Sequence, residues 1–398
     1  MRISSFLYAW ELGGKLGHIG GFEPVAEQLR REGHDVTFVV RETRACPLLL
    51  GERFSWMQAP RFDGSPAARP PLSYADILAG VGYADPLDLM GLTVAWRTQF
   101  QLARPGLVFA DHAPTAILAA RSLGIPVMLF GSGFAVPPPC SPLPAMRSWE
   151  PADEQGLALR ESAVLATVNA VLAQLQAAPL ARLCDLFTVA ENALLTLPEL
   201  DHYAQRGPAR YWGTLTRLHG PAAGPCAWPP GTGPRIFAYI RQSSTVAAAT
   251  IGAIGATGSP AIVYCPDWTG GIDPPANVAV VGRPADLAQM TAEADIAIAH
   301  GGATASAFLM AGKPVLALAT HVEQFMFGLR IAQLGAGLVV RADGDIAEIG
   351  RALLRLRSDA ALAQRARGFA ARYAGFGHDA VLAAICARAL VLARRNDA

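Results

Sequence analysis

A histidine and two glycines, His300-Gly301-Gly302, separate an apolar segment from a run of residues that is typical of a helix. Residues 294–299 form a predicted buried strand, and the predicted helix ends before Gly312. The first turn of a helix carries partial positive charge and unpaired backbone N–H groups, which suit a phosphate. Two glycines let the backbone come close to such a group. The turn therefore predicts a phosphate site in which His300 donates a hydrogen bond. The alternative is that His300 only ties the turn together.

Four hydroxyl side chains are expected near this turn. Thr304 and Ser306 follow the glycines, and Ser243 and Ser244 follow a predicted strand over residues 235–240. All four are candidate hydrogen-bond donors to a diphosphate. Their alternative role is to cap the helices that begin beside them.

An acid–amide pair, Glu323-Gln324, follows the next predicted strand. Its polar atoms suit the hydroxyl groups of a sugar. The alternative is an ordinary first turn of a helix, where acidic residues are favourable, with Thr320 or His321 as the cap. A phosphate site followed by a site for sugar hydroxyls predicts a nucleotide-sugar donor.

A second set of candidate residues lies in the first half of the chain. His18 ends a glycine-rich loop at the predicted start of a helix, and Asp111 follows a predicted strand over residues 107–110. Because the pKa of free imidazole lies near working pH, His18 is a candidate general base for an acceptor hydroxyl. Asp111 would orient His18 and stabilise its imidazolium form. The alternative for His18 is a capping or core histidine, and the alternative for Asp111 is an N-cap aspartate. His112 is the competing candidate base.

Trp10, Glu11 and Phe134 are predicted to line an acceptor pocket, although aromatic residues in loops more often serve packing. Other chemistries find less support in the sequence. The second predicted strand ends in Val39-Val40-Arg41, without the acidic residue of a dinucleotide-binding fingerprint. The sequence also lacks the G-x-S-x-G motif of a serine-nucleophile elbow.

These residues need two α/β domains to position them. Strand and helix patterns alternate over residues 1–212 and again over residues 235–398. The segment between them, 213–234, is rich in proline and glycine and is a predicted linker. The pattern predicts two Rossmann-like, doubly wound parallel sheets covered on both faces. We expect the terminal helices to pack back on the N-terminal domain. Ligands are then expected at the carboxyl ends of the strands, in a cleft between the domains.

The composition supports this organisation and narrows the function. A chain of 398 residues with 52% hydrophobic residues suits two domains, and a net charge of +1 gives no support for nucleic-acid binding. The six scattered cysteines show neither metal-ligand spacing nor a disulfide framework, which favours the cytoplasm. No apolar run approaches the ~20 residues of a spanning helix. A mean hydropathy of +0.28 leaves room for peripheral contact with a membrane. The oligomeric state is not predicted.

Two parts of the chain resemble the UDP-glycosyltransferase-like enzymes, which include macrolide and flavonoid glycosyltransferases. The first is Gly17-His18-Ile19 with residues 27–38, EQLRREGHDVTF, and the second is the His300 turn with Glu323-Gln324. The resemblance implies a GT-B fold, in which two Rossmann-like domains face a cleft. It implies inverting transfer of a sugar from a UDP- or dTDP-sugar to a hydroxyl of a small hydrophobic acceptor, without metal or cofactor.

By position, the resemblance implies a role for each candidate residue. His18 matches the catalytic base, Asp111 its orienting acid, and His300 the diphosphate-binding histidine. Glu323 and Gln324 match the pair that binds donor sugar hydroxyls, and the loop around Arg283 matches the segment that meets the nucleobase. The chain departs from the family pattern where Ile19-Gly20-Gly21 follows His18 and where Arg241-Gln242-Ser243-Ser244 follows the first strand of the second half.

Two other functions compete with this interpretation. An isomerase of the UDP-GlcNAc 2-epimerase type would have the same architecture, but it needs carboxylates around C2 and C3 of the sugar, and the sequence suggests no such cluster. A non-catalytic nucleotide-sugar-binding partner of another transferase would be favoured if His18 and Asp111 lay too far apart to form a hydrogen bond. A dinucleotide oxidoreductase is disfavoured because its fingerprint is missing.

Overall fold

The computed structural model describes residues 3–14, 17–64, 70–204, 206–215, 224–241, 244–266, 268–270, 272–344 and 346–395. The chain divides into two compact units. The first comprises Met1–Leu197, Tyr203–Leu215 and His378–Ala398. The second comprises Pro198–His202 and Thr216–Gly377.

Twelve strands occur in the described residues. In chain order they are β1 (Ser5–Trp10), β2 (Asp35–Val40), β3 (Ser55–Gln58), β4 (Leu107–Asp111), β5 (Val127–Gly131), β6 (Glu191–Leu194), β7 (Ile236–Tyr239), β8 (Ala261–Tyr264), β9 (Val278–Val281), β10 (Ile296–Ala299), β11 (Val315–Ala319) and β12 (Gly337–Arg341).

The same residues contain thirteen α-helices. They are α1 (Gly17–Arg31), α2 (Cys46–Leu49), α3 (Tyr74–Leu78), α4 (Pro86–Ala103), α5 (Pro114–Ser122), α6 (Glu154–Gln174), α7 (Ser244–Gly255), α8 (Leu287–Glu293), α9 (Gly302–Met310), α10 (Val322–Leu334), α11 (Ile346–Ser358), α12 (Ala360–Arg372) and α13 (His378–Arg395). Shorter 3-10 helices span Thr43–Ala45, Gly133–Ala135, Leu183–Phe187 and Pro198–Leu200, and a π-helical turn spans Ala79–Tyr83.

The sheet of the first unit has the strand order β3-β2-β1-β4-β5-β6, and all its strands are parallel. The order reverses between β1 and β4, where Trp10 pairs with Asp111. In open α/β sheets, ligands bind beyond the carboxyl ends of the strands at such a switch point. The pairing therefore places Asp111 at the expected ligand-binding edge.

The sheet of the second unit repeats this topology. Its order, β12-β11-β10-β7-β8-β9, is again parallel throughout and reverses between β7 and β10. His300 follows β10 directly, and Arg241 lies just beyond β7. The predicted class, with two doubly wound parallel sheets, is confirmed.

The hydrophobic core of the first unit contains a cluster of aromatic rings from four strands and from helix α1. Tyr8 stacks on Phe22 with ring centroids 4.3 Å apart, and Phe38, Phe109 and Phe130 surround the pair. The last helix, α13, contributes a buried apolar face to this core and packs against α1. Of the three C-terminal helices, α13 belongs to the first unit, whereas α11 and α12 belong to the second.

A 3-10 helix over Leu183–Phe187 precedes the edge strand of the first sheet. The Asp185 carboxylate accepts hydrogen bonds from the backbone and guanidinium of Arg182, which closes this turn. The edge strand β6 follows it.

Among the described residues, one helix has the length of a membrane span, although charged residues interrupt its apolar run. Helix α6 has 21 residues and, by length and composition alone, could cross a membrane. The bent segment formed by Tyr74–Tyr83 and Pro86–Ala103 passes the same test as a pair. Part of α6 is buried inside the first unit, where Val164, Val168 and Val171 face the core, as in the core helix of a globular domain.

Candidate active site

His18 and Asp111 meet at the switch point of the first sheet. His18 Nδ1 lies 2.8 Å from Asp111 Oδ2, although the two residues are 93 positions apart. The Asp111 side chain is 9% exposed and the His18 side chain is 24% exposed. A carboxylate beside Nδ1 holds the imidazole proton on that nitrogen and leaves the lone pair on Nε2. This arrangement suits a general base.

Two aromatic residues of β1 support the pair. The Tyr8 hydroxyl donates a hydrogen bond of 2.6 Å to Asp111 Oδ2. The Trp10 ring stacks on the His18 ring with centroids 4.8 Å apart, and its indole N–H donates to the Leu12 carbonyl. Burial first, and then the Asp111 carboxylate, raise the pKa of Tyr8 well above its usual range. Tyr8 was not identified from the sequence. It lies on β1 two residues before Trp10, and therefore on the same face of the sheet as Trp10.

Asp111 does not cap the helix that follows it, which was the alternative for this residue. The N-cap of α5 is Ala113, whose methyl group cannot accept a hydrogen bond. Glu11 fills the capping role from a distance, because its carboxylate accepts from the Thr115 hydroxyl and from the backbone N–H groups of Thr115 and Ala116. Burial, opposed by these hydrogen bonds, raises the pKa of Glu11 to about 7.

The three residues that were predicted to line an acceptor pocket belong to the first unit. Trp10, Glu11 and Phe134 are all buried. The Phe134 ring lies beside those of Tyr74 and His112. Their role in binding an acceptor stays a prediction.

Gly13 determines the space next to the proposed base nitrogen. Its backbone is left-handed, with φ +81°, and a Cβ at this position would lie 2.9 Å from His18 Nε2. It would also lie 3.6 Å from Nδ1 of His112, the competing candidate base. A glycine is required here both by the backbone conformation and by the approach to Nε2.

The glycine turn of the second unit has the geometry predicted for it. Gly301 and Gly302 have φ values of +124° and +60°, and Gly301 is the N-cap of the nine-residue helix α9. A Cβ on Gly301 would lie 3.2 Å from the Phe327 ring. Because Gly301 has no side chain, it makes no side-chain cap at the N-terminus of α9.

His300 uses both ring nitrogens inside the protein. Its Nδ1 lies 2.8 Å from the Leu318 carbonyl oxygen, and its Nε2 accepts a 2.8 Å hydrogen bond from the Arg241 backbone N–H. The ring thereby ties the end of β10 to the segments after β7 and at the end of β11. This is the alternative in which the histidine holds the turn together.

The acid–amide pair is also engaged. Glu323 Oε1 lies 3.0 Å from Nε2 of His202, whose side chain is 1% exposed. Gln324 Oε1 accepts from both the backbone N–H and the hydroxyl of Thr320. Gln324 thus supports the first turn of α10, while the Glu323 side chain remains 26% exposed. His202 was not identified from sequence, since no motif marks it.

The other side chains that were predicted to bind the donor are those of Arg283, Thr304, Ser306 and the pair Ser243-Ser244. The Arg283 guanidinium donates to the Pro225 carbonyl oxygen. Thr304 is half-buried on α9 and Ser306 is buried. Ser244 begins α7, but its side chain is not described, and Ser243 lies outside the described residues. Within the described part of the chain, no three His, Cys, Asp or Glu side chains converge as metal ligands would.

Fold comparison identifies the class of architecture. The chain is similar over nearly its full length to solved natural-product glycosyltransferases. The glycotransferase of kitacinnamycin is 16% identical, with 98% of this chain and 100% of that chain covered and a TM-score of 0.69. CalG4, the calicheamicin glycosyltransferase, is 17% identical, with 98% of both chains covered and a TM-score of 0.70.

A third structure was solved with a nucleotide. The glycosyltransferase VinC, in complex with dTDP, is 16% identical, with 99% of this chain and 100% of that chain covered and a TM-score of 0.64. No family model and no curated protein sequence matches the chain. At these identities the similarity establishes the fold, and the chain has the GT-B fold that the resemblance implied.

Proposed function

We propose that this chain is a metal-independent, inverting glycosyltransferase of the cytoplasm that works without a cofactor. It would move a sugar from a UDP- or dTDP-sugar to a hydroxyl of a small hydrophobic acceptor. The observation that carries the proposal is the 2.8 Å contact between His18 and Asp111 at the switch point of the first sheet. The fold shared with natural-product glycosyltransferases supports the class of reaction.

The first step of the proposed reaction is proton removal. With its proton on Nδ1 and directed at Asp111, His18 accepts the acceptor's hydroxyl proton on Nε2. The Asp111 carboxylate then stabilises the imidazolium that forms. The acceptor oxygen attacks the anomeric carbon from the face opposite the diphosphate, so the bond to the diphosphate breaks with inversion.

The leaving diphosphate needs positive charge in place of a metal. The N-terminus of α9 offers partial positive charge and backbone N–H groups at the Gly301-Gly302 turn. His300 contributes by holding this turn in place through Arg241 and Leu318. Such preorganised dipoles stabilise developing charge without reorganisation during the reaction.

The sugar and the nucleobase would bind on either side of this turn. Glu323, held by His202, is proposed to accept hydrogen bonds from sugar hydroxyls, with Gln324 beside it. The loop of Arg283 is proposed to meet the nucleobase. The dTDP bound to VinC supports a thymidine or uridine nucleotide as the donor.

A transfer assay tests the proposal. The protein is incubated with a panel of UDP- and dTDP-sugars and a mixture of phenols, flavonoids and macrolactone alcohols, and products are sought by mass spectrometry. We expect a mass increase of one sugar, which His18→Ala abolishes while His378→Ala, altered elsewhere in the first unit, retains it. Normal turnover by His18→Ala would contradict the assignment of the base.

The two competing functions give different results. An epimerase would convert a nucleotide sugar in the absence of any acceptor, so the donor alone is analysed in parallel. A non-catalytic binding partner would bind the donor and turn over nothing. The hydrogen bond between His18 and Asp111 favours a catalytic protein over this second alternative.

A further inference from the structure

One oxygen of Asp111 receives two hydrogen bonds. Oδ2 lies 2.6 Å from the Tyr8 hydroxyl and 2.8 Å from His18 Nδ1. An ionised carboxylate accepts several hydrogen bonds, and those made to its charge are the stronger ones. The phenol and the imidazole therefore share the negative charge of one atom.

Tyr8 is held rigidly in this position. It is fully buried, with its ring stacked on Phe22 and flanked by Phe38 and Phe130. A phenylalanine would make the same ring contacts in this apolar core. The hydroxyl has its hydrogen bond to Asp111, and a buried hydroxyl without a partner would be unfavourable. Packing thus explains the ring of Tyr8, whereas only the carboxylate explains its oxygen.

We infer that Tyr8 is a positioning residue of the proposed base: its hydroxyl fixes the rotamer of the Asp111 carboxylate and limits the charge that Asp111 offers to His18. This inference rests on the proposed function of His18. Tyr8 touches neither substrate nor reacting atoms and acts through Asp111. The result is a three-residue chain, Tyr8–Asp111–His18, that runs from the core to the site.

The direction of the effect follows from electrostatics. A hydrogen bond from Tyr8 withdraws charge from Oδ2 and weakens the stabilisation of the His18 imidazolium. Removing the hydroxyl should concentrate charge on the contact with His18 and make His18 easier to protonate. In the described part of the chain, the charged or titratable side chains near the loop that carries His18 include Glu11, Arg41, Glu42 and His112, and Tyr8→Phe replaces none of them.

The test is the titration of His18 by NMR in the full chain, with ¹³C-labelled histidine and the His18 signal assigned through His18→Gln. In Tyr8→Phe we expect the His18 titration midpoint to rise by about 0.5–1 pH unit. This size corresponds to the loss of one charge-assisted hydrogen bond from an oxygen that Tyr8 and His18 share. The matched control is Tyr373→Phe, which removes a hydroxyl that donates to the Glu199 carboxylate in the second unit. It should leave the His18 midpoint unchanged.

A midpoint in folded Tyr8→Phe that equals or lies below that of the unaltered chain would overturn the inference. In an Asp111→Asn background the Tyr8→Phe effect should disappear, since Tyr8 acts only through the carboxylate. Should Tyr8→Phe fail to fold, uniform 3-fluorotyrosine labelling replaces it. Its phenol is a stronger donor, so the His18 midpoint should fall, and an unchanged midpoint would refute the inference.

This measurement needs neither donor nor acceptor. A shifted midpoint in a chain that transfers no sugar would leave Tyr8 as the positioning residue of the pair and contradict the proposed function alone. Sugar transfer without any shift of the midpoint would contradict the role of Tyr8 and leave the proposed function in place. Where transfer is observed, the acid limb of kcat/KM in Tyr8→Phe should move to higher pH with the midpoint.

Discussion

At the scale of single residues, the side chains around the proposed base hold one another in place. His18 contacts Asp111, Trp10 covers the His18 ring, and Gly13 leaves room beside Nε2. Sequence reasoning identified His18 and Asp111 because motif and strand-end position mark them. It could not identify Tyr8 or the capping role of Glu11, because their partners lie about a hundred residues away and only the order of the strands brings them together.

Gly13→Ala should impair both folding and the base. The left-handed backbone, with φ +81°, costs about 1–2 kcal/mol for a residue with a Cβ. The new methyl group would lie 2.9 Å from His18 Nε2 and obstruct the acceptor hydroxyl. We expect a lower melting temperature and a fall in kcat/KM of roughly tenfold or more.

The matched control is Gly17→Ala, where a Cβ would meet no described atom within 4 Å apart from its chain neighbours and its own helix backbone. It should keep the stability and the turnover of the unaltered chain. Equal turnover by Gly13→Ala and Gly17→Ala would show that the space beside Nε2 is not used.

The buried carboxyl of Glu11 should make folding stability depend on pH. Burial raises its pKa to about 7 from an ordinary value of 4.5, so the folded chain holds an extra proton between these pH values. Stability from this group is fully present below about pH 4.5 and is lost as the pH rises towards 7, by up to about 1.4 kcal/mol per pH unit. Glu11→Gln, which keeps acceptor and donor atoms, should lack this loss.

Urea denaturation of both proteins across this range is the measurement. The free energy of unfolding of Glu11→Gln minus that of the unaltered chain should grow between pH 4.5 and 7 and stay constant above pH 8, which serves as the internal control. A difference independent of pH would mean that folding does not raise the pKa of Glu11.

At the scale of elements, each proposed site lies where a strand meets a helix at the switch point of its sheet. Asp111 ends β4 beside β1, and His300 directly follows β10, which pairs with β7. The glycine turn was predictable, since two glycines after a buried strand favour an abrupt start of the next helix. The bonds of His300 to Arg241 and Leu318 were not, because they depend on which three strands lie side by side.

Gly301→Ala should destabilise the second unit. Its φ of +124° is unfavourable for alanine, and the methyl group would lie 3.2 Å from the Phe327 ring. We expect a loss of about 1–3 kcal/mol in the free energy of unfolding, measured by urea denaturation.

Gly252→Ala is its control, because a Cβ in that part of α7 would meet no atom of the described residues within 4 Å outside its own helix backbone. Helix propensity alone should make this second variant as stable as the unaltered chain or slightly more stable. A Gly301→Ala protein of unchanged stability would contradict the strained geometry of the turn.

At the scale of the whole molecule, two units share one strand order, although their sequences show no repeat. The alternation of apolar strands and helices was enough to predict two parallel sheets, but their common strand order was not predicted and comes from the structure. The unit to which each segment belongs was harder to predict. Helix α13 is amphipathic like its neighbours, and only its contacts assign it to the first unit.

The stereochemistry of the product should report the mechanism of the whole enzyme. A single displacement by the acceptor oxygen inverts the anomeric centre, so an α-linked donor should give a β-linked product. The coupling constant of the anomeric proton in the isolated product, measured by NMR, distinguishes an α-linked from a β-linked sugar. Retention would exclude the proposed direct attack assisted by His18.

Donor binding is the most direct test of the account as a whole. Titration calorimetry of the full chain with dTDP and with UDP should show saturable binding of at least one of them, with one site per chain. His18→Ala should bind as tightly as the unaltered protein, whereas Gly301→Ala should bind at least about tenfold more weakly because the α9 turn is displaced. Absence of heat with both nucleotides, or equal affinity in the Gly301 variant, would contradict the central claim that this turn binds the diphosphate of a sugar donor.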